Sequence, residues 1–297
     1  MGKRIEVLDH GFAELIETWG SDEAIIEAAR ESTDGNFRGW AGDEKLLTYL
    51  YSNDHATPFE MAGAKFRIKL PIFVAREWMR HRTQSYNEMS ARYTALPNEN
   101  YVPSEARLFL ANFKSANKQA NGNGKEIGEW KARMFTFMLE IMYWMQEKFY
   151  QYSLSIGIPR ELARVCLPVG RYTRFVVQAN LRNWIAFLRL REDDKAQYEI
   201  RLYAHAICKL LESRFPRSIA LYKGTPLSKV LVKISPFEGY SLVHGGINAG
   251  HFTLSNEWDG ALGTESLKDI QEYFPEVSWS LVTKEEFQDF MREQYNK

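Results

Sequence analysis

The sequence predicts an α+β fold, and three observations carry that reading. Several long segments repeat apolar residues at helical spacing, most clearly 127–155 and 195–214. Strand-like alternation is confined to a few scattered stretches, chiefly Ala64 to Leu70 and Tyr172 to Gln178. No internal repeat divides the chain.

Taken in order, Ser21 to Arg30 reads as a helix whose first turn carries Asp22 and Glu23, where carboxylates suit the macrodipole. A polar loop, Ser32 to Gly42, leads to a short helix over Glu44 to Tyr51. Thr57-Pro58-Phe59-Glu60 has the marks of a helix start: a hydroxyl cap, proline at the first position and Glu three residues after the cap. Ala64 to Leu70 is a strand with one buried face. Pro71 then opens a helix that ends in Arg80, His81 and Arg82 and runs into a polar loop. Residues 104–126, with Asn-Gly-Asn-Gly at 121–124, read as a loop or hairpin.

Ile127 to Ser155 is a long amphipathic helix closed by Gly157 and Pro159, and a short helix from Pro159 to Cys166 stops before Pro168. The strand Tyr172 to Gln178 is followed by helices over Asn180 to Leu190 and Lys195 to Arg214. After Pro226 the character changes to a short β run, Val230 to Ile234, a Gly- and aromatic-rich stretch and an acidic helix from Lys284. The organisation is therefore a main region, 1–226, and a C-terminal extension, 227–297, without an assigned role.

Lys plus Arg and Asp plus Glu both total 38 of 297 residues, so no global field draws the molecule to nucleic acid or an anionic membrane. Any anion site must be local. Cys166 and Cys208 are the only cysteines, too few for a disulfide framework or a cysteine zinc site, and a reducing cytoplasm is expected. The N-terminus lacks an apolar signal core, and the greasiest stretch, Met134 to Met145, is short and interrupted by Glu140, so no membrane association is expected.

Between Arg76 and Arg92 lie Arg80, His81 and Arg82, with only Glu77 and Glu88 as acids. A solvated helix end, with Glu77 pairing Arg80 or His81, is the plain reading. Ser85, Asn87 and Ser90, followed by Arg92-Tyr93, instead make a phosphate cradle of guanidinium forks, hydroxyls and loop amides. Ser90 has no identifiable general base, which favours a hydrogen-bond donor over a nucleophile. Arg164, Arg182 and Arg191 form a second cationic set; Glu192, Asp193 and Asp194 offer Arg191 ordinary salt bridges. His55 is either an exposed loop histidine or a residue at a ligand. His244 and His251 flank a Gly-rich turn without a third ligand at metal spacing, so no metal site is expected. Neither a Gly-x-Gly-x-x-Gly fingerprint nor a Gly-Lys-Ser/Thr phosphate loop is present.

Arg80-His81-Arg82 followed, seven residues on, by Ser90 and then Arg92-Tyr93 resembles the flavin-dependent thymidylate synthase family. The likeness extends to His55-x-Thr57-Pro58-Phe59-Glu60, Arg164 before Leu167-Pro168, Tyr172-Thr173-Arg174-Phe175, Asn180-x-Arg182, and Arg191 followed by Ala196-Gln197-Tyr198-Glu199. It implies helices packed on a small antiparallel sheet, in a homotetramer with active sites between subunits. It also implies FAD, with NADPH and methylenetetrahydrofolate as co-substrates, converting dUMP to dTMP without a covalent protein nucleophile.

By the same resemblance, Ser32, Thr57, Glu60, Arg80, His81, Arg82, Asn180 and Arg182 contact FAD. Glu88, Ser90, Arg92 and Arg164 hold dUMP, mainly its phosphate, with Glu77 near that phosphate. Arg191 meets the pyrimidine, and His55, Ser90 and Arg191 stand closest to the chemistry. The chain departs from the family pattern at Glu77, commonly Gln, at Ala186, commonly Asn, and at Lys195, commonly His. A carboxylate at 77 repels a phosphate unless a neighbouring cation neutralises it. Glu77 therefore keeps open a relative that makes another 5-substituted nucleotide, such as 5-hydroxymethyl-dUMP. From a different class, the basic cluster with Tyr86 and Tyr93 resembles a single-stranded nucleic-acid platform, against which zero net charge and the absence of a long basic stripe count.

Overall fold

The computed structural model describes residues 3–110, 127–224, 240–244, 251–256 and 278–281. They divide into two compact units, Met1–Phe215 and Pro216–Lys297.

The first unit is built on a five-stranded antiparallel sheet in the order β1-β2-β3-β5-β4. Its strands are β1 (Arg4–Val7), β2 (Gly11–Trp19), β3 (Gly63–Pro71), β4 (Ser85–Glu88) and β5 (Tyr172–Asn180). The two strands legible as alternating sequence lie at its middle, paired from Gly63 opposite Asn180 to Pro71 opposite Tyr172. Phe66, Ile68 and Leu70 of β3 are fully buried on one face, while Lys65, Arg67 and Lys69 lie on the other. The apolar face carries the core.

That face is covered by α4 (Ile72–Trp78), α8 (Leu181–Arg191) and α9 (Tyr198–Glu212). The Trp184 indole donates a 3.0 Å hydrogen bond to the Ala64 carbonyl and meets Phe66 edge-on at 4.9 Å. Trp78 packs on Phe187 at 4.6 Å. A buried tryptophan with its N–H satisfied contributes area and orientation together.

The remaining helices are α1 (Asp22–Arg30), α2 (Trp40–Ser52), α3 (Ala56–Glu60), α5 (Glu105–Leu110), α6 (Glu129–Ser155) and α7 (Arg160–Ala163). Several expectations are corrected. The loop 32–42 holds the end of a 3-10 turn (Glu31–Thr33) and the start of α2. α3 has His55 at its N-cap, so Thr57 lies inside the helix rather than capping it. α4 ends at Trp78, and Arg80 to Arg82 occupy the following turn. The polar segment 104–126 begins with α5; residues 111–126 lie outside the described residues. β1, β2 and β4 were not anticipated: a register shift between Leu15 and Glu17 breaks the alternation of β2, and β4 is a short polar edge strand.

Instead of burying an apolar stripe, α6 leaves Trp130, Phe135, Phe137, Met138, Trp144 and Phe149 between 51% and 71% exposed. Its inner side is held by Arg171, 1% exposed, which donates to Glu147 Oε2 (2.7 Å), Asn98 Oδ1 (2.8 Å) and the Leu96 carbonyl (3.2 Å).

In the second unit, α10 (Pro216–Tyr222) precedes a three-stranded sheet. β6 (Tyr240–His244) pairs antiparallel with β7 (His251–Asn256), and β8 (Ser278–Leu281) pairs parallel with β7. The expected strand 230–234 and the helix from 284 lie outside the described residues. Among the described residues, no helix is long and apolar enough to cross a membrane.

Candidate active site

The turn carrying Arg80, His81 and Arg82 is fixed from beneath. Gln84 Oε1 accepts a 2.9 Å hydrogen bond from the buried Trp78 indole and lies 3.0 Å from the Tyr86 hydroxyl, which is also 2.9 Å from the His81 carbonyl. Burial pushes the Tyr86 phenol above its ordinary range, so it stays a protonated donor. Arg80 and Arg82 extend outward, exposed.

His81 turns inward to α8. The Arg191 Nε donates to His81 Nε2 (2.8 Å), Nη1 donates to Glu77 Oε2 (2.9 Å), and Nη2 donates to the Glu77 carbonyl (3.2 Å). A guanidinium can only donate, so His81 Nε2 carries the lone pair and the imidazole is neutral. Burial, reinforced by the Arg191 charge and opposed by Glu77, lowers the His81 pKa to about 4. The Glu77 carboxylate is thus paired by Arg191, a partner 114 residues away that sequence spacing does not suggest.

Two clefts open elsewhere in this unit, and Glu77, His81 and Arg191 line neither. One, of about 700 Å³, is lined by Asn87, Glu88, Ser90 and Tyr93 together with Arg67 and Arg174 from the charged face of the sheet. Glu88 Oε1 accepts a 2.6 Å hydrogen bond from Thr173, and Ser90 Oγ accepts one from the Arg92 amide at 3.3 Å. Arg92 reaches the Tyr93 hydroxyl at 3.1 Å. Arg67 and Arg174 were not picked out as site residues. The signal was present in the alternation of β3 and β5, which puts both on the solvent face beside Glu88 and Ser90.

The second cleft, about 400 Å³, combines the apolar Leu50 and Phe59 with His55, Thr83, Arg182 and Asn183. Ala186 also lines it. Arg182 Nη1 donates to Glu60 Oε1 at 3.3 Å, joining α8 to α3, and the Asn183 side-chain Nδ2 donates to the Thr83 carbonyl at 3.4 Å. Asn180 caps α8, its side-chain oxygen accepting from the Asn183 amide at 2.9 Å. His55, Glu60, Asn180 and Arg182, spread over more than a hundred residues, therefore converge.

Other expected residues stand apart in the single chain. Ser32 donates to the Ala29 carbonyl (2.9 Å) and lines neither cleft. Thr57 is exposed on α3. Arg164 lies exposed in the 3-10 turn after α7, its Nε 3.4 Å from the Glu161 carbonyl. Lys195 contributes its backbone N–H to Asp193 Oδ1 (2.8 Å). Among the described residues, no group of three His, Cys, Asp or Glu can hold a metal ion.

The family model described as thymidylate synthase complementing protein matches residues 14–217. The flavin-dependent thymidylate synthase of Ehrlichia ruminantium (strain Gardel) is 39% identical over 220 residues, covering 74% of this chain and 73% of the relative. That of Wolbachia pipientis wMel is 41% identical over 213 residues, covering 71% and 73%. Among solved structures, the UMP/dUMP methylase PolB from Streptomyces cacaoi bound with 5-Br dUMP superposes with a TM-score of 0.66 at 30% identity, over 75% of this chain and 98% of that one. The chain belongs to the flavin-dependent thymidylate synthase family.

Proposed function

We propose that this chain methylates dUMP to dTMP with bound FAD, taking the carbon from methylenetetrahydrofolate and reducing equivalents from NADPH. The observation that carries the reading is the 2.8 Å contact between Arg191 and His81. The cation expected at the pyrimidine touches the imidazole expected at the flavin, which is the adjacency a reaction between those two rings needs.

The residues suit FAD: Leu50 and Phe59 offer apolar wall, Arg182 and Asn183 offer directional donors, and exposed Arg80 and Arg82 offer forks that match a pyrophosphate. Flavin, when bound, supplies the hydride chemistry. Ser90, Arg92 and Glu88 hold the nucleotide, while Arg191 keeps a fixed positive charge where negative charge develops on the pyrimidine carbonyls. A preorganised donor in such a position is worth about 3 kcal/mol in the transition state. Neither cysteine suits a nucleophile: Cys208 is buried, and burial raises the Cys166 thiol.

Arg164 is exposed and lines neither cleft, and α6 exposes a broad apolar face. Both features support a homotetramer in which one subunit completes the nucleotide site of another. Two free thiols fit a reducing cytoplasm. Residues 1–226 are assigned the catalytic role, and 227–297 form an extension.

Pairing of Glu77 with Arg191 reduces the repulsion that kept the hydroxymethyl product open, and favours dTMP. Tyr86, turned inward onto the His81 carbonyl, is unavailable as a stacking platform for single-stranded nucleic acid. Reconstitution tests the cofactor: protein mixed with FAD and passed through a desalting column should carry a flavin spectrum, and a colourless eluate would contradict the reading.

A further inference from the structure

Glu77 stands on α4 and Arg191 closes α8, so their contact spans two helices that both pack on the sheet. Of the five N–H groups of a guanidinium, three are engaged in the structure: one by His81, one by the Glu77 carboxylate and one by the Glu77 carbonyl. The acceptors come from two sides of the group, so the plane of the guanidinium is fixed as well as its position. Two N–H groups remain on a side chain that is 16% exposed.

Glu77 is 43% exposed, and an ion pair of that exposure adds little to fold stability. Its consequence is orientation. Without the carboxylate, the His81 imidazole on Nε and the Glu77 backbone carbonyl on Nη2 are the remaining acceptors, and Nη1 is left unheld. The carboxylate adds the third anchor, on Nη1.

We propose that Glu77 is a positioning residue for Arg191: it holds the guanidinium so that its two remaining N–H groups serve the carbonyl oxygens of the pyrimidine ring. The proposal rests on the reading that Arg191 meets the pyrimidine of dUMP. A glutamine at this position accepts the same hydrogen bond without the charge. The carboxylate therefore adds one further effect: it partly compensates the cation that the nucleotide also needs, which weakens ground-state affinity for an anionic ligand.

The two roles separate in steady-state kinetics of the flavin-loaded enzyme. Glu77→Gln keeps the anchor and loses the compensating charge, so kcat should stay within about threefold of the parent while KM for dUMP falls. Glu77→Ala loses the anchor, and kcat should drop about tenfold or more with flavin content unchanged. If the alanine variant does not fold, Glu77→Asp replaces it, because withdrawing the carboxylate by one methylene should lower kcat in the same direction. Glu77→Ala or Glu77→Asp with the parent's kcat would overturn the proposal. So would Glu77→Gln impaired as deeply as alanine, since charge rather than anchoring would then be responsible. A parent enzyme that turns over no dUMP sinks the underlying reading and this inference with it; an active parent with indifferent Glu77 variants sinks the inference alone.

Discussion

The Thr173 hydroxyl donates a 2.6 Å hydrogen bond to Glu88 Oε1, so β5 fixes the carboxylate at the head of the loop that carries Ser90 and Arg92. Thr173 is 2% exposed. Thr173→Val keeps the volume and deletes the donor. Loss of one such bond should destabilise the protein by about 1 kcal/mol. The released loop should raise KM for dUMP more than it lowers kcat. Thermal denaturation and initial rates on one preparation read both.

Arg191→Ala should reduce kcat about 10²- to 10³-fold, the usual effect of deleting a preorganised donor at developing charge. FAD should remain bound, because Arg182, Glu60 and the second cleft are untouched. Parent-like turnover with full flavin occupancy would refute the pyrimidine role of this residue.

His81 makes stability depend on pH. Its folded pKa, about 4, lies below the ordinary 6.5. Between those values the unfolded chain binds a proton that the native imidazole refuses, so stability rises with pH through this window and falls on acidification. Melting temperature followed from neutral pH down to about pH 4 should decline less steeply in His81→Asn than in the parent. Parallel curves would mean that His81 is not held neutral beside Arg191.

Arg171→Met should be strongly destabilising. The substitution leaves Glu147, whose side chain is 13% exposed, without its cation and frees the Asn98 side chain and the Leu96 carbonyl. Breaking one side of a buried pair costs about 3–5 kcal/mol. Denaturant titration measures it directly, and a change below about 1 kcal/mol would indicate that the pair is effectively solvated.

The exposed face of α6 predicts assembly. Trp144, 62% exposed, should become buried between subunits, so Trp144→Glu should lower the sedimenting mass and with it the activity, as Arg164 is no longer delivered to a neighbouring nucleotide site. A full-size, fully active Trp144→Glu enzyme would place the interface elsewhere.

The central strands were readable because Phe66, Ile68 and Leu70 alternate with Lys65, Arg67 and Lys69, so each face announces its environment. β4 was not, since an edge strand of Ser85, Tyr86, Asn87 and Glu88 pairs with only β5 and has no apolar face to reveal it. Among site residues, the density of cations from Arg80 to Arg92 singled out the loop. The pairing of Glu77 with Arg191 was invisible to spacing arguments, which offered Arg80 or His81 as its helical neighbours; tertiary packing of α4 beside the end of α8 supplied a different partner. The exposure of α6 has a related reason. An amphipathic pattern states that a face will be buried, not whether its own chain does the burying.

The most direct measurement is anaerobic turnover: the FAD-loaded protein is mixed with NADPH, methylenetetrahydrofolate and dUMP, and the nucleotide is identified by mass. The account predicts dTMP, formed only when all three additions are present. A 5-hydroxymethyl nucleotide, or unchanged dUMP from protein that has retained its flavin, would contradict it.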